Sequence, residues 1–125
     1  MSKPETPADA AWFAEHVMGW RRVRTTGAGI FWTGKPGTIF WTGDTCLEDD
    51  LRQWFRPLYD ANDALAMLEA WCEAAPGMRL VSLNRDHDGA WRVWLCDRTR
   101  ENEAHGDTLC AAACAAVRQA VEGES

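Results

Sequence analysis

Cysteine and histidine are the residue types in this chain that are best suited to metal binding or nucleophilic chemistry. Cys110 and Cys114 are four residues apart, so both thiols lie on one face of a predicted helix. With His105 nearby they form part of a possible zinc site, because zinc prefers sulfur and imidazole ligands. The sequence offers no convincing fourth ligand. We therefore expect the two thiols to act as small apolar fillers in the core.

The segment Asp86-His87-Asp88 combines two carboxylates with an imidazole. Such groups can bind a divalent cation, but Asp-rich segments before a glycine are far more common as turns between strands. The chain also lacks a glycine-rich phosphate loop, a paired-histidine motif and a nucleophile elbow. We therefore expect a protein that binds rather than catalyses, with no cofactor and no metal.

Length, net charge and cysteine content limit the domain organisation, the kinds of partner and the location that we expect. The chain has 125 residues, enough for a single domain spanning 1–125, and its polar ends, 1–5 and 122–125, are expected to be flexible. Its net charge of −6 disfavours nucleic acid as a partner, because phosphate binding depends on basic surfaces. Five cysteines without a C-x-x-C pair or a leader segment favour a cytoplasmic location, and no apolar run is long enough to cross a membrane.

Helical spacing predicts three helices. The first, 8–18, has apolar residues recurring on one face and Gly19 at its end. In the second helix Asp60 is the predicted cap, and the predicted buried face is Ala61, Ala64, Leu65, Leu68, Trp71 and Cys72. The third, 108–121, is predicted to begin after a cap at Asp107 and to present a stripe of small residues, which would let it lie close to a sheet.

Two hairpins are predicted between the helices. The segment Ile30-Phe31-Trp32-Thr33-Gly34 recurs as Ile39-Phe40-Trp41-Thr42-Gly43, and a Gly-Lys-Pro-Gly turn separates the two copies. The second hairpin pairs 78–83 with 90–96, and Gly89 lies in its turn. The segments 43–52 and 97–106 are predicted to be polar loops, although Leu51, Trp54 and Phe55 are expected to return to the core.

These elements follow the order α-ββ-α-ββ-α. Joining both hairpins gives one four-stranded, mainly antiparallel sheet. Because bulky residues occur on both faces of its strands, we expect helices on both sides. The predicted fold is therefore α+β, a three-layer α/β/α sandwich.

Three segments resemble the phage ABA sandwich domain, a family of small bacteriophage and prophage proteins. They are Val17-Met18-Gly19-Trp20, Phe55-Arg56-Pro57-Leu58-Tyr59-Asp60 and the Ala/Cys-rich stretch 109–117. Leu58 departs from the family pattern, in which Ser is common at that position. The resemblance implies a sandwich fold and a phage origin, but it implies no activity and no catalytic residue.

We therefore expect a small phage or prophage accessory protein that binds a host or phage protein in the bacterial cytoplasm. One hypothesis is inhibition of a host defence system, as in anti-CRISPR proteins, with the acidic residues Glu48, Asp49 and Asp50 imitating a nucleic-acid backbone. A second places the partner on the aromatic hairpin. Its anchors would be Phe31, Trp32, Phe40 and Trp41.

Two alternatives stay open at this point. The hairpin edge could instead join two copies in a homodimer, giving a small structural homo-oligomer. Alternatively, Arg21, Arg22 and Arg24, together with an exposed tryptophan, could bind a nucleotide or a nucleic acid by stacking and charge.

Overall fold

A computed structural model describes residues 7–25, 29–34, 39–43, 50–74, 79–98 and 100–123. Contacts divide the chain into two compact units, with the boundary between Arg56 and Pro57. Each described unit contains helical segments and one antiparallel sheet, which confirms the α+β class. The expectation of one domain over the whole chain stays a prediction.

The first helical segment covers the predicted residues, but its second half is a π-helix rather than an α-helix. Helix α1, Pro7–Phe13, continues into a π-helical turn, Ala14–Met18. Gly19 follows with a φ of +74°, a conformation that glycine adopts without steric cost, and the chain reverses there. The Trp20 N–H then donates to the Ala14 carbonyl at 2.9 Å, which closes the helix end.

Three antiparallel strands form the first sheet, in the order β1-β2-β3: β1, Arg21–Thr25, β2, Gly29–Thr33, and β3, Ile39–Gly43. The repeated segments pair with each other as predicted. Phe31 lies opposite Trp41, and Trp32 lies opposite Phe40. The predicted turn at 35–37 is outside the described residues. Strand β1 was not predicted.

The described core of the first unit contains large side chains. Ile30 and Trp32 of β2 are 1% and 0% exposed. A short 3₁₀ turn, Leu51–Gln53, buries Leu51, and Phe55 beyond it is equally buried. The prediction that Trp54 joins this core is wrong: its side chain is 50% exposed. Successive residues in so tight a turn point in different directions, and here Phe55 takes the inward position.

The second unit begins with helix α2, Ala61–Glu73. The predicted cap is confirmed, because the Asp60 carboxylate accepts a hydrogen bond from the Asn62 N–H at 2.8 Å. The buried face differs from the prediction, since Leu65 is 43% exposed, Ala61 is also exposed and Cys72 is half-buried. A stripe at spacings of three and four residues is buried instead: Ala64, Met67, Leu68 and Trp71.

The second sheet is also three-stranded and antiparallel, in the order β4-β5-β6: β4, Leu80–Arg85, β5, Trp91–Cys96, and β6, Glu101–Gly106. Strands β4 and β5 confirm the predicted hairpin, with Gly89 at a φ of +93° in its turn. The prediction that 97–106 is a polar loop is wrong, because β6 occupies most of that segment. A turn held by Asp97, whose carboxylate accepts from the Arg100 N–H at 2.8 Å, leads into β6.

Helix α3, Leu109–Gly123, packs on β5 and β6. Its N-cap is Thr108, whose hydroxyl accepts from the Ala111 N–H at 3.0 Å, one residue after the predicted Asp107. The predicted small-residue stripe is confirmed, including Cys110 and Cys114 at 6% and 3% exposure. Where β6 ends, a Cβ on Gly106 would lie 2.7 Å from the Ala112 nitrogen, so the helix start and the strand end are in close contact.

The predicted single four-stranded sheet is wrong. Within the described residues each predicted hairpin gains a third strand, which gives the order α-βββ-α-βββ-α and two three-stranded sheets. In the second sheet α3 lies over Val93 and Leu95, whereas the side chains of Glu103 and His105 on the opposite face are exposed. None of the helices in the described ranges has the length and apolar character needed to span a membrane.

Candidate binding surface

Strand pairing divides the predicted aromatic anchors between two faces of the first sheet. Trp32 has no exposed surface and belongs to the core, so it is unavailable as a partner anchor. Phe31 lies on the opposite face and is half-buried. The side chains of Phe40 and Trp41 lie outside the described residues, although their backbone positions are opposite Trp32 and Phe31.

The face that carries Phe31 has exposed apolar surface among its described side chains. The register places Val23 opposite Phe31, and places both Arg21 and Ile39 opposite Thr33. Ile39 is 55% exposed and Arg21 is exposed, while the side chains between them are partly buried. The arrangement is an apolar surface with a basic residue at one end. We call these five residues the outer face of the first sheet.

Of the predicted acidic site, Glu48 and Asp49 lie outside the described residues. The Asp50 carboxylate caps the 3₁₀ turn and binds Arg52 at two points, 2.8 Å from Nε and 2.7 Å from Nη2. This hydrogen bonding lowers the pKa of Asp50 from its ordinary value. Arg56 shares with this pair the lining of a shallow hollow, so the surface at Asp50 is not acidic overall.

The three clustered arginines occupy β1, and strand alternation separates them. Arg21 lies on the outer face, whereas Arg22 belongs to the other face; the side chain of Arg24 lies outside the described residues. Arg22 lies 5.8 Å from the centre of the Trp32 ring and 3.9 Å from the Glu15 carboxylate. Because Trp32 is buried, this ring cannot form the exposed stacking platform that a nucleic-acid site requires.

The possible zinc ligands do not come together. Cys110 and Cys114 are buried on α3, which packs on one face of the second sheet. His105 lies on the opposite face, at 55% side-chain exposure, and contacts Glu103 at 2.9 Å. The described residues contain no group of three or more metal-ligating side chains.

Sequence reasoning missed an ionic cluster on the exposed face of the second sheet. Arg92 binds Asp86 at 3.0 Å and lies 3.9 Å from Glu103, while His105 lies between Glu103 and Asp86. The turn at Asp86-His87-Asp88 is a structural turn, in which the Asp88 carboxylate accepts from the Ala90 N–H. The cluster could not be found from spacing alone, because β6 had not been predicted as a strand.

Comparisons with known proteins give no relative: no family model matches the chain, and neither a curated protein nor a solved structure does. The resemblance to the phage ABA sandwich domain therefore stays a prediction.

Proposed function

We propose that this protein acts by binding another protein, and that the outer face of the first sheet forms part of the contact surface. The observation that carries the proposal is Ile39, a large apolar side chain that is 55% exposed on a strand whose neighbour buries Trp32 on the other face. Apolar side chains gathered on one exposed face are a common mark of protein interaction sites.

The chemistry of this face favours a protein partner. Val23, Phe31 and Ile39 offer apolar area, and Arg21 offers one positive charge at the margin. A partner with an apolar centre and an acidic rim would match both features. The net charge of −6 works against a phosphate backbone as the ligand.

The proposal is tested with Ile39→Asp and a matched control, Leu65→Asp, which changes a side chain of similar exposure on α2. A partner is first isolated from a bacterial lysate with the unaltered chain, and its affinity for all three proteins is then measured. We expect Ile39→Asp to weaken binding by about tenfold or more, as for a central contact residue, and Leu65→Asp to leave it unchanged. Equal binding by all three would contradict the proposal.

We further propose, from the phage resemblance, that the partner belongs to a bacterial defence system that handles nucleic acid. Since Asp50 is bound to Arg52, imitation of a phosphate backbone would depend on Glu48 and Asp49. The variant Glu48→Lys with Asp49→Lys should then lose inhibition of the defence nuclease, whereas Asp50→Asn should retain it. Full inhibition by the double lysine variant would remove the imitation hypothesis and leave the apolar contact.

A further inference from the structure

Among the described residues, the outer edge of β4 has no strand paired to it. Strand β4 pairs with β5 on one side, and no described strand pairs with its other side. A strand at the edge of a sheet presents unpaired N–H and C=O groups that can bond to another extended strand. The edge of β4 therefore offers main-chain hydrogen bonds to a partner strand along Leu80–Arg85.

Charge distinguishes this edge from the edges at β1 and β6, although the edge strand β3, Ile39–Gly43, is uncharged as well. Strand β1 carries three arginines within Arg21–Thr25, and β6 carries Glu101 and Glu103. Like charges facing each other across strands are destabilising, and charged edge strands are a common protection against pairing. By contrast, β4 has one charged residue, Arg85, at its end.

The apolar side of β4 is also incompletely covered. Val81 and Leu83 pair with Leu95 and Val93, so they share the face of the sheet on which α3 lies. Helix α3 packs on β5 and β6, and both of those β5 residues have 0% exposure. Leu83, at the edge of the same face, is 38% exposed. A strand added beside β4 would extend this face and cover Leu83.

We propose that β4 pairs antiparallel with β4 of a second copy of this chain, around a twofold axis at Leu83. A twofold axis perpendicular to the sheet keeps each face on its own side, so the apolar face of one copy continues into that of the other. The two ends of the strand differ in charge: Arg79 precedes β4, and the turn that follows it carries Asp88 and Asp86, of which Asp86 also binds Arg92. Antiparallel pairing brings the basic end of each copy beside the acidic turn of the other.

Charge also selects the register. For the apolar faces of the two copies to lie on the same side, each residue must pair with a residue whose side chain points to the same face of the sheet. Two registers meet this condition and pair most of the strand. In one the twofold axis passes at Ser82, and in the other at Leu83. The Ser82 register places Arg85 opposite Arg79 of the second copy, which is repulsive. The Leu83 register places Arg85 opposite Val81 and the two Leu83 side chains opposite each other.

Sedimentation equilibrium of the full chain tests this dimer. We expect a dissociation constant of the order of 10 µM. Leu83→Lys places two positive charges opposite each other and should raise that constant at least about tenfold, while Leu65→Lys on α2 should leave it unchanged. A monomer at every concentration, or a Leu83→Lys variant that dimerises normally, would overturn the proposal.

A mixture of variants tests the register itself. Leu83→Lys and Leu83→Glu should each be monomeric, and an equal mixture should dimerise, because position 83 then faces the opposite charge.

Amide exchange provides a readout within the unaltered chain: protection at 80–85 should rise with protein concentration, while protection in β6 should not. Concentration-dependent protection in β1, β3 or β6 instead of β4 would also contradict the proposal. The dimer is independent of the proposed function, since it involves a different sheet.

Discussion

The two sheets fill their covered faces in different ways. In the first sheet β2 buries Ile30 and Trp32, so large side chains occupy the space beneath the strand. In the second sheet the covered face meets α3 through small residues, and Gly106 allows the helix start to approach the strand end. Large rings fill a wide space beneath a strand, whereas small residues allow the helix to pack close to the sheet. The first sheet should therefore be sensitive to a loss of side-chain volume, and the second to a gain.

The largest effect is expected from Trp32→Ala in the first sheet. Removal of a fully buried ring should lower the free energy of unfolding by about 3–5 kcal/mol, because a cavity is left where the ring had packed. Chemical denaturation followed by circular dichroism measures the change. Ile39→Ala is the matched control on the exposed face and should change stability by less than about 0.5 kcal/mol. Similar losses in the two variants would remove the distinction between the faces.

Gly106→Ala tests the second sheet in the opposite direction, by adding volume. The new Cβ would lie 2.7 Å from a backbone nitrogen of α3, and we expect a loss of about 1–3 kcal/mol in the free energy of unfolding. Gly123→Ala at the other end of α3 is the control. Its Cβ would meet only the tip of the Arg100 side chain, which can move away at little cost. If Gly106→Ala unfolds at the same denaturant concentration as the unaltered chain, the close approach is not required.

Thr108→Ala tests the contribution of the N-cap of α3 to stability. Loss of the hydroxyl that accepts from the Ala111 N–H should cost about 1 kcal/mol, which a thermal melt would record. Thr108→Ser keeps the acceptor and should retain most of the stability. A serine variant as unstable as the alanine variant would indicate that the threonine methyl group, rather than the cap, is important.

Asp50→Asn should give the smallest effect, seen mainly in the pH dependence of stability. Arg52 lowers the pKa of Asp50 in the folded chain, so the carboxylate contributes stability above its unfolded pKa, and that contribution is lost as the pH falls. Denaturation between about pH 5 and pH 2 should therefore be less pH-dependent in the variant than in the unaltered chain. Parallel curves would show that Asp50 contributes nothing to acid sensitivity.

The sequence predicted those parts of the fold that local chemistry determines. The repeated aromatic segments indicated β2 and β3, and Gly89 indicated the turn of the second hairpin. Asp60 marked the start of α2, because an N-cap is a local interaction between a side chain and a nearby N–H. Each of these signals involves residues that are close in the chain.

Strands β1 and β6 were missed for a physical reason. Their sequences, Arg-Arg-Val-Arg-Thr and Glu-Asn-Glu-Ala-His-Gly, have few of the branched and aromatic residues that favour strands. They are strands because a neighbouring strand offers them hydrogen bonds, which is information that local sequence does not carry. That error also concealed the cluster of Arg92, Glu103 and His105, since its members meet only across paired strands.

The pairing of the repeated segments has one consequence for folding. The backbone register places Phe31 opposite Trp41 and Trp32 opposite Phe40, so each copy of the Ile-Phe-Trp-Thr-Gly segment pairs with the other. The same complementarity exists between two separate chains. We therefore expect that, during synthesis or heating, a copy of the segment in one molecule pairs with a copy in another, so that hairpin exchange or aggregation begins at this duplication.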